Sequence, residues 1–185
     1  MASFVMNILK LFIMKKLILV AVVAVFGLAN VNAQNFNAGI SAGLPIGDFS
    51  DLYSFSVIVD VNYLWEVSEQ FDAGVTVGYS HSFGKDEDLN LDLGDFGSFD
   101  IETEDFGYIP IGAAGRFNAS EDFTIGLDLG YAIAVSPSGS DGGFYYAPKV
   151  QYGITQSLDI VAAYRGVSLD GGSFDIVSLG IEFGL

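Results

Sequence analysis

SEDFTIGLDLGY, residues 120–131, is a near-copy of SEQFDAGVTVGY, residues 68–79, with Ser, Glu, Phe, two Gly and Tyr at the same six offsets. Carried on to Ala134, the later copy alternates Phe123, Ile125, Leu127, Leu129, Tyr131 and Ile133 with Thr124, Gly126, Asp128, Gly130, Ala132 and Ala134. The earlier one sets Phe71, Ala73, Val75, Val77, Tyr79, His81 and Phe83 against Asp72, Gly74, Thr76, Gly78, Ser80 and Ser82. Strict period two marks a β-strand with one apolar face, and the opposite face decides the architecture. A soluble sandwich or barrel turns its bulky face inward and solvates charged side chains on the other. Gly, Ala, Ser and Thr make a poor solvated surface. They suit the crowded interior of a narrow closed barrel whose bulky face meets lipid, where only helices and closed barrels satisfy the backbone. Each copy is then a turn, an aromatic at the inner interface, a rising strand with Gly toward the lumen, and a Tyr near the outer interface. Phe123 to Tyr131 covers ~26 Å of strand, or roughly 20 Å of height once tilted, near that of a bilayer's apolar band.

Working outward, the same alternation predicts eight strands, an even number as single-chain outer-membrane barrels have. Outward phases carry Phe36, Ala38, Ile40 and Ala42 in the first and Phe55, Val57, Val59, Val61, Tyr63 and Trp65 in the second. The fourth has Ile109, Ile111 and Phe117, with small Ala113 and Gly115 between them, and the sixth has Phe144, Tyr146, Val150, Tyr152 and Ile154. Leu158, Ile160, Ala162 and Tyr164 mark the seventh, and Val177, Leu179, Ile181, Phe183 and Leu185 the eighth. Pro110 and Pro148 fall inside strands and predict bulges or displaced strand ends, because a closed barrel has no edge to hold them. Connections alternate in length. Short turns at residues 68–70, 118–122 and 155–157 are assigned to the periplasm, and those around 47–53, 84–106, 137–143 and 170–173 to the outside.

Composition agrees with a membrane barrel. Hydrophobic residues make up 51% of the 185, charged ones only 16%, and there are 23 Gly, yet no apolar run reaches the ~20 residues of a spanning helix. The densest run, LILVAVVAVFGL at residues 17–28, follows Met14-Lys15-Lys16 and leads to small residues ending Val31-Asn32-Ala33. That is the pattern of a secretory signal, residues 1–33, with translation expected to begin at Met14 and cleavage before Gln34. Residues 34–185, the predicted barrel, keep four basic and 23 acidic residues, a formal charge of −19, which excludes nucleic acid as a partner by repulsion. The absence of Cys excludes disulfides, Cys metal sites, a thiol nucleophile and a lipidated Cys. No cofactor is implied.

With signal, strand count and loop alternation in place, residues 34–185 resemble the small eight-stranded outer-membrane β-barrel proteins, the OmpA and OmpX type of transmembrane domain. The closing strand FDIVSLGIEFGL, residues 174–185, resembles the terminal strand that such proteins present to the barrel-assembly machinery, ending here in Leu185. The resemblance implies an all-β up-and-down antiparallel barrel in the outer membrane, in contact with its lipid. It does not imply one activity, since such barrels include structural anchors, adhesins and a few enzymes.

Three of the four basic residues, Arg116, Lys149 and Arg165, fall on lumen-facing phases. Counting from the short turns sets Asp60, Asp128, Lys149 and Arg165 at similar mid-barrel depth, with Glu66, Asp72, Arg116, Asp159 and Glu182 nearer the inner end. A gated channel would need such ion pairs to open. Eight strands leave a lumen that side chains fill, and buried charges need partners, so structural pairs among Asp60, Asp128, Lys149, Arg165, Arg116 and Asp72 are expected. His81, the only histidine, points outward by phase beside Phe83. A lipid- or peptide-modifying enzyme would use it as a general base, with Ser80 and Ser82 near in sequence but no nucleophile motif.

KDEDLNLDLGDFGSFDIETED, residues 85–105, holds nine acids. Its outward-phase Leu89, Leu91, Leu93, Phe99 and Ile101 predict that the third and fourth strands run on as one hairpin, turning at Asp95-Phe96-Gly97. That register sets Asp92 opposite Asp100 and Asn90 opposite Glu102. Facing like charges destabilise a ladder, and water and salt relieve them unless a ligand does. Asp88, Asp92, Asp100 and Glu102 are the candidates for a surface that takes a basic protein partner or divalent cations. DLNLDLG, residues 88–94, matches a calcium loop poorly, with Gly one place late and no Glu at the twelfth position. The expected protein is a monomeric, non-enzymatic outer-membrane barrel with a filled lumen and a structural or adhesive surface role. An enzyme near His81 and a small pore are the alternatives.

Overall fold

The computed structural model describes residues 36–87 and 101–185. Its long strands are β1 (Phe36–Ile46), β2 (Tyr53–Ser68), β3 (Phe71–Gly84), β6 (Phe106–Asn118), β7 (Phe123–Ser136), β8 (Gly143–Thr155), β9 (Leu158–Leu169) and β10 (Gly172–Gly184). Two short strands, β4 (Asp86–Glu87) and β5 (Ile101–Glu102), pair with each other outside the barrel. The long strands close in the order β1-β10-β9-β8-β7-β6-β3-β2, each antiparallel to its neighbours. Closure joins β1 to both β2 and β10, with Ile40 opposite Val59 on one side and Ile181 on the other. No barrel edge is left unpaired. The signal segment 1–33 and Asp88, Asp92 and Asp100 lie outside the described residues.

The faces sort as in a membrane barrel. Leu127, Leu129, Val75, Val177 and Leu179 are all more than 40% exposed, while Arg116, Arg165 and Asp128 are 1% exposed. That is the reverse of a water-soluble protein, where so continuous an apolar surface would drive aggregation. Exposed Trp65, Phe71, Phe117, Phe123, Tyr152 and Phe183 ring the short-turn end, and exposed Phe55, Tyr79, Tyr131 and Phe144 ring the other. These are the two aromatic girdles of a bilayer-spanning barrel. Leu127 lies midway between them, so Leu127→Arg is expected to cost about 2–4 kcal/mol. Unfolding by urea in lipid vesicles measures it, and a cost near zero would mean that this face is wet.

The repeated glycines hold the wall close to its contents. A Cβ on Gly126 would come within 2.8 Å of Lys149 Cγ and 2.9 Å of Arg116 Cδ, and one on Gly130 would strike the Ile111 carbonyl oxygen. In the earlier copy, a Cβ on Gly78 would come within 2.6 Å of Asp60 Oδ1. The thin lipid face of β6 is covered from beside it, since the Phe71 ring lies 3.5 Å from the Cβ position of Gly115.

Neither proline displaces a strand end, and the one irregularity near them is the register shift at Gly107/Tyr108 in the β6–β7 ladder. In the β3–β6 ladder, pairs Val77–Ile111 and Ser80–Tyr108 flank Pro110 with the register unchanged, and Pro110 faces Ala132 across the β6–β7 ladder. In β8–β9, pairs Tyr146–Gly166 and Lys149–Ala163 flank Pro148, which faces Leu127 of β7. A strand residue sends its N–H toward one neighbour only, so a proline interrupts a single ladder.

The hairpin register also differs from the sequence reading. Glu102 pairs with Asp86, not Asn90, and Ile101 with Glu87. This continues the β3–β6 register, in which Ser82 faces Phe106. The long barrel ladder dictates pairing beyond Gly84, and the predicted turn at 95–97 lies outside the described residues.

Candidate functional site in the lumen and at the outer mouth

The inward phases carry two separate charge clusters. Arg165 donates from Nη1 and Nη2 to Asp60 Oδ1 and Oδ2, at 3.0 and 2.6 Å. It also donates from Nη1 to the Tyr145 hydroxyl at 3.1 Å and from Nε to Ser178 Oγ at 3.1 Å. In the second cluster Asp128 takes both cations, Arg116 Nη1 at 2.6 Å and Lys149 Nζ at 2.6 Å. Strands β6, β7 and β8 are consecutive in the barrel, which brings these three side chains together. Lower down, Glu182 accepts from Asn62 Nδ2 at 2.9 Å and Gln151 Nε2 at 2.8 Å. Among the described residues, the buried charged side chains on the inward phase are three carboxylates, Asp60, Asp128 and Glu182, and three cations, Arg116, Lys149 and Arg165, while buried Asp175 stands on the outward phase beside Tyr146. The balance of charge is what a buried set requires, although Arg116 Nε and Nη2 and Asn62 Oδ1 find no hydrogen-bond partner.

Asp72 does not join an ion pair. It faces Arg116 across the β3–β6 ladder, but Arg116 reaches instead to Asp128, and Asp72 accepts from Asn118 Nδ2 at 2.9 Å. The more buried carboxylate takes the guanidinium because there the charge has no water to replace it. Glu66 is exposed, and Asp159 sits beside Glu182 in the β9–β10 register.

Above the ion pairs, toward the long loops, the lumen is apolar. Ile58, Phe106, Tyr108, Tyr145, Val167, Phe174 and Ile176 form a buried cluster with small Ala132 and Ala147. Phe174 meets Phe106 at 4.8 Å and Tyr53 at 5.2 Å, both edge to face. Reasoning from the outward stripe passed over this plug, although its signal was present: Phe106 and Tyr108 stand on the phase opposite Ile109 and Ile111.

His81 keeps its outward phase but is only 9% exposed. Its Nδ1 lies 3.1 Å from the Tyr79 hydroxyl and its Nε2 3.1 Å from Asp105 Oδ2, while Phe83 packs edge-on at 4.7 Å. Asp105 Oδ1 also accepts from the Gly84 backbone N–H at 3.0 Å. The His81–Asp105 contact therefore ties the foot of the hairpin to β3, and both ring nitrogens are engaged. Ser80 and Ser82 point to the other face, where Ser82 Oγ lies 2.6 Å from Ser56 Oγ.

No protein-family model matches the sequence, and no curated protein is significantly similar to it. Solved structures match the fold. Ail, the attachment invasion locus protein of Yersinia pestis, superposes with a TM-score of 0.51 at 17% identity over 80% of this chain and 95% of that one. Ail in complex with the heparin analogue sucrose octasulfate gives 0.52 at 19% identity over the same shares. The de novo designed TMB2.3 gives 0.50 at 10% identity, covering 82% of this chain and 94% of the design. Closed by eight antiparallel strands, apolar outside and charge-balanced within, the chain has the fold of the small eight-stranded outer-membrane β-barrels.

Proposed function

We propose that this is a non-enzymatic, monomeric barrel of the bacterial outer membrane that acts as a structural or surface-binding protein, its acidic long-loop end holding a basic protein partner. The observation that carries this reading is the segregation of charge. Arg116, Lys149 and Arg165 are buried in the lumen with their carboxylates, and the fourth basic residue of 34–185, Lys85, is bound to the Ser50 carbonyl. Asp48, Asp51, Asp141 and Asp170 stand exposed on the long-loop end, and β4 and β5 set Asp86 against Glu102 beside Glu87. So acidic an end, with no basic side chain left free among the described residues, favours a cationic ligand. Ail binds a polyanionic heparin analogue, and this end of the chain would repel one.

A filled lumen argues against a pore, since large fully buried side chains cross it at two levels. The hydrogen-bond saturation of His81 and the inward aim of Ser80 and Ser82 argue against hydrolysis. A lysine-rich peptide titrated onto the protein in uncharged bilayers tests the reading. Binding is expected to weaken steeply with salt, and deletion of residues 88–100 to weaken it about tenfold, the loss of ~1.4 kcal/mol of complementarity. Salt-independent binding, or none, would contradict it. Divalent cations are the other ligands of such a surface, and calcium that raised the melting temperature without peptide would favour them.

A further inference from the structure

We propose that the open bowl at the long-loop mouth is a binding site for an organic cation, an ammonium group carrying methyl or alkyl substituents. The bowl has a volume of about 280 Å³ and is lined by Phe49, Tyr53, Phe106 and Phe174, with Asp141 and Asp170 among its walls. That volume is near the lower end of the ~300–1,000 Å³ of small-ligand pockets. Phe106 and Phe174 are packed into the plug below, at 7% and 2% exposure, and form the floor. Phe49, on the turn after β1, and Tyr53, at the start of β2, remain partly open and form the walls. The rings stand at angles around Phe174, at 88° for Tyr53, 60° for Phe106 and 40° for Phe49. Phe49 and Tyr53, the rings left partly open, line the same space as the exposed Asp141 and Asp170, which suits a cation with an apolar shell.

The carboxylates select among ligands that aromatic walls alone would admit. Asp141 and Asp170 come from two different loops, and both are exposed at the bowl. A neutral apolar ligand would gain nothing from them. A small inorganic cation would keep its water and gain little from the rings, and an anion would be repelled. An alkylated ammonium uses both features, losing little hydration while meeting ring faces and carboxylates together. Among the described residues, none of 85–87 or 101–105 lines the bowl, and its ligand and the hairpin's partner are read by separate experiments.

The test uses the intact barrel in a glucoside detergent, which brings no choline headgroup, titrated with choline and with its neutral isostere 3,3-dimethylbutan-1-ol. Ring-proton shifts in NMR report the site. Choline is expected to saturate and to shift phenylalanine and tyrosine resonances, with the neutral isostere about tenfold weaker. Phe49→Ala, which removes a wall and leaves the plug intact, is expected to weaken choline about tenfold, and Asp141→Asn with Asp170→Asn to do so by a similar factor. Both variants should keep the unboiled gel mobility of the parent, and deletion of residues 88–100 should leave choline binding in place. Equal affinity for the two probes, absence of saturation, or indifference to Phe49→Ala would overturn the proposal.

Discussion

Asp128→Ala is expected to destabilise the folded barrel by at least about 3–5 kcal/mol, the cost of stranding a buried charge. This carboxylate holds two cations at once, Arg116 and Lys149, each at 2.6 Å and each almost completely buried. Without it both cations keep their desolvation cost and lose the carboxylate they share. Urea unfolding in vesicles, read by gel mobility without boiling, measures the loss. Asp122→Ala is the control: Asp122 is exposed in the turn before β7, where a surface change is usually within about 0.5 kcal/mol. Similar midpoints for the two variants would mean that water reaches the Asp128 cluster.

The Asp60–Arg165 pair gives the second large effect, and its double mutant distinguishes pairing from packing. Asp60→Leu and Arg165→Met should each cost about 3–5 kcal/mol by leaving the partner's charge alone in the lumen. Combined, they should cost less than the sum by at least about 2 kcal/mol, because an apolar pair of similar volume strands no charge. Some loss remains, since Tyr145 and Ser178 lose the guanidinium they now meet, and an unsatisfied buried hydroxyl costs about 1–3 kcal/mol. Strict additivity in this cycle would show that the two residues do not act as a pair.

These clusters also show where sequence reading succeeds. Alternation around Phe123–Ala134 was enough to place strands, turns and the outward face, because period two admits only two phases and the bulk of Leu127 and Leu129 against Gly126 and Gly130 chooses between them. The same phase put Asp60, Asp128, Lys149 and Arg165 inside. It could not say which cation goes to which anion. Arg116 starts opposite Asp72 and ends on Asp128, since a long flexible side chain answers to burial in three dimensions. The hairpin register was missed for a related reason: turn residues at 95–97 are a local signal, and the ladder below them is a long-range constraint that prevails. Pro110 and Pro148 were expected to need bulges or displaced ends because a closed barrel has no edge, but a proline interrupts only one of its two ladders. The aromatic plug went unread because attention to the lipid-facing stripe leaves large inward residues such as Tyr108 and Phe174 looking like a second, competing signal.

The placement of the apolar face against hydrocarbon underlies all of these results, and Trp65 reports on it directly. It is the single tryptophan of the chain, 45% exposed on the outward face near the short-turn girdle. Its fluorescence should be followed in bilayers whose acyl chains carry bromine at defined depths. Strong quenching is predicted, greater for bromine near the headgroups than near the bilayer centre, as an interfacial anchor requires. Fluorescence indifferent to brominated lipid but quenched by aqueous iodide would place this face in water and contradict the account.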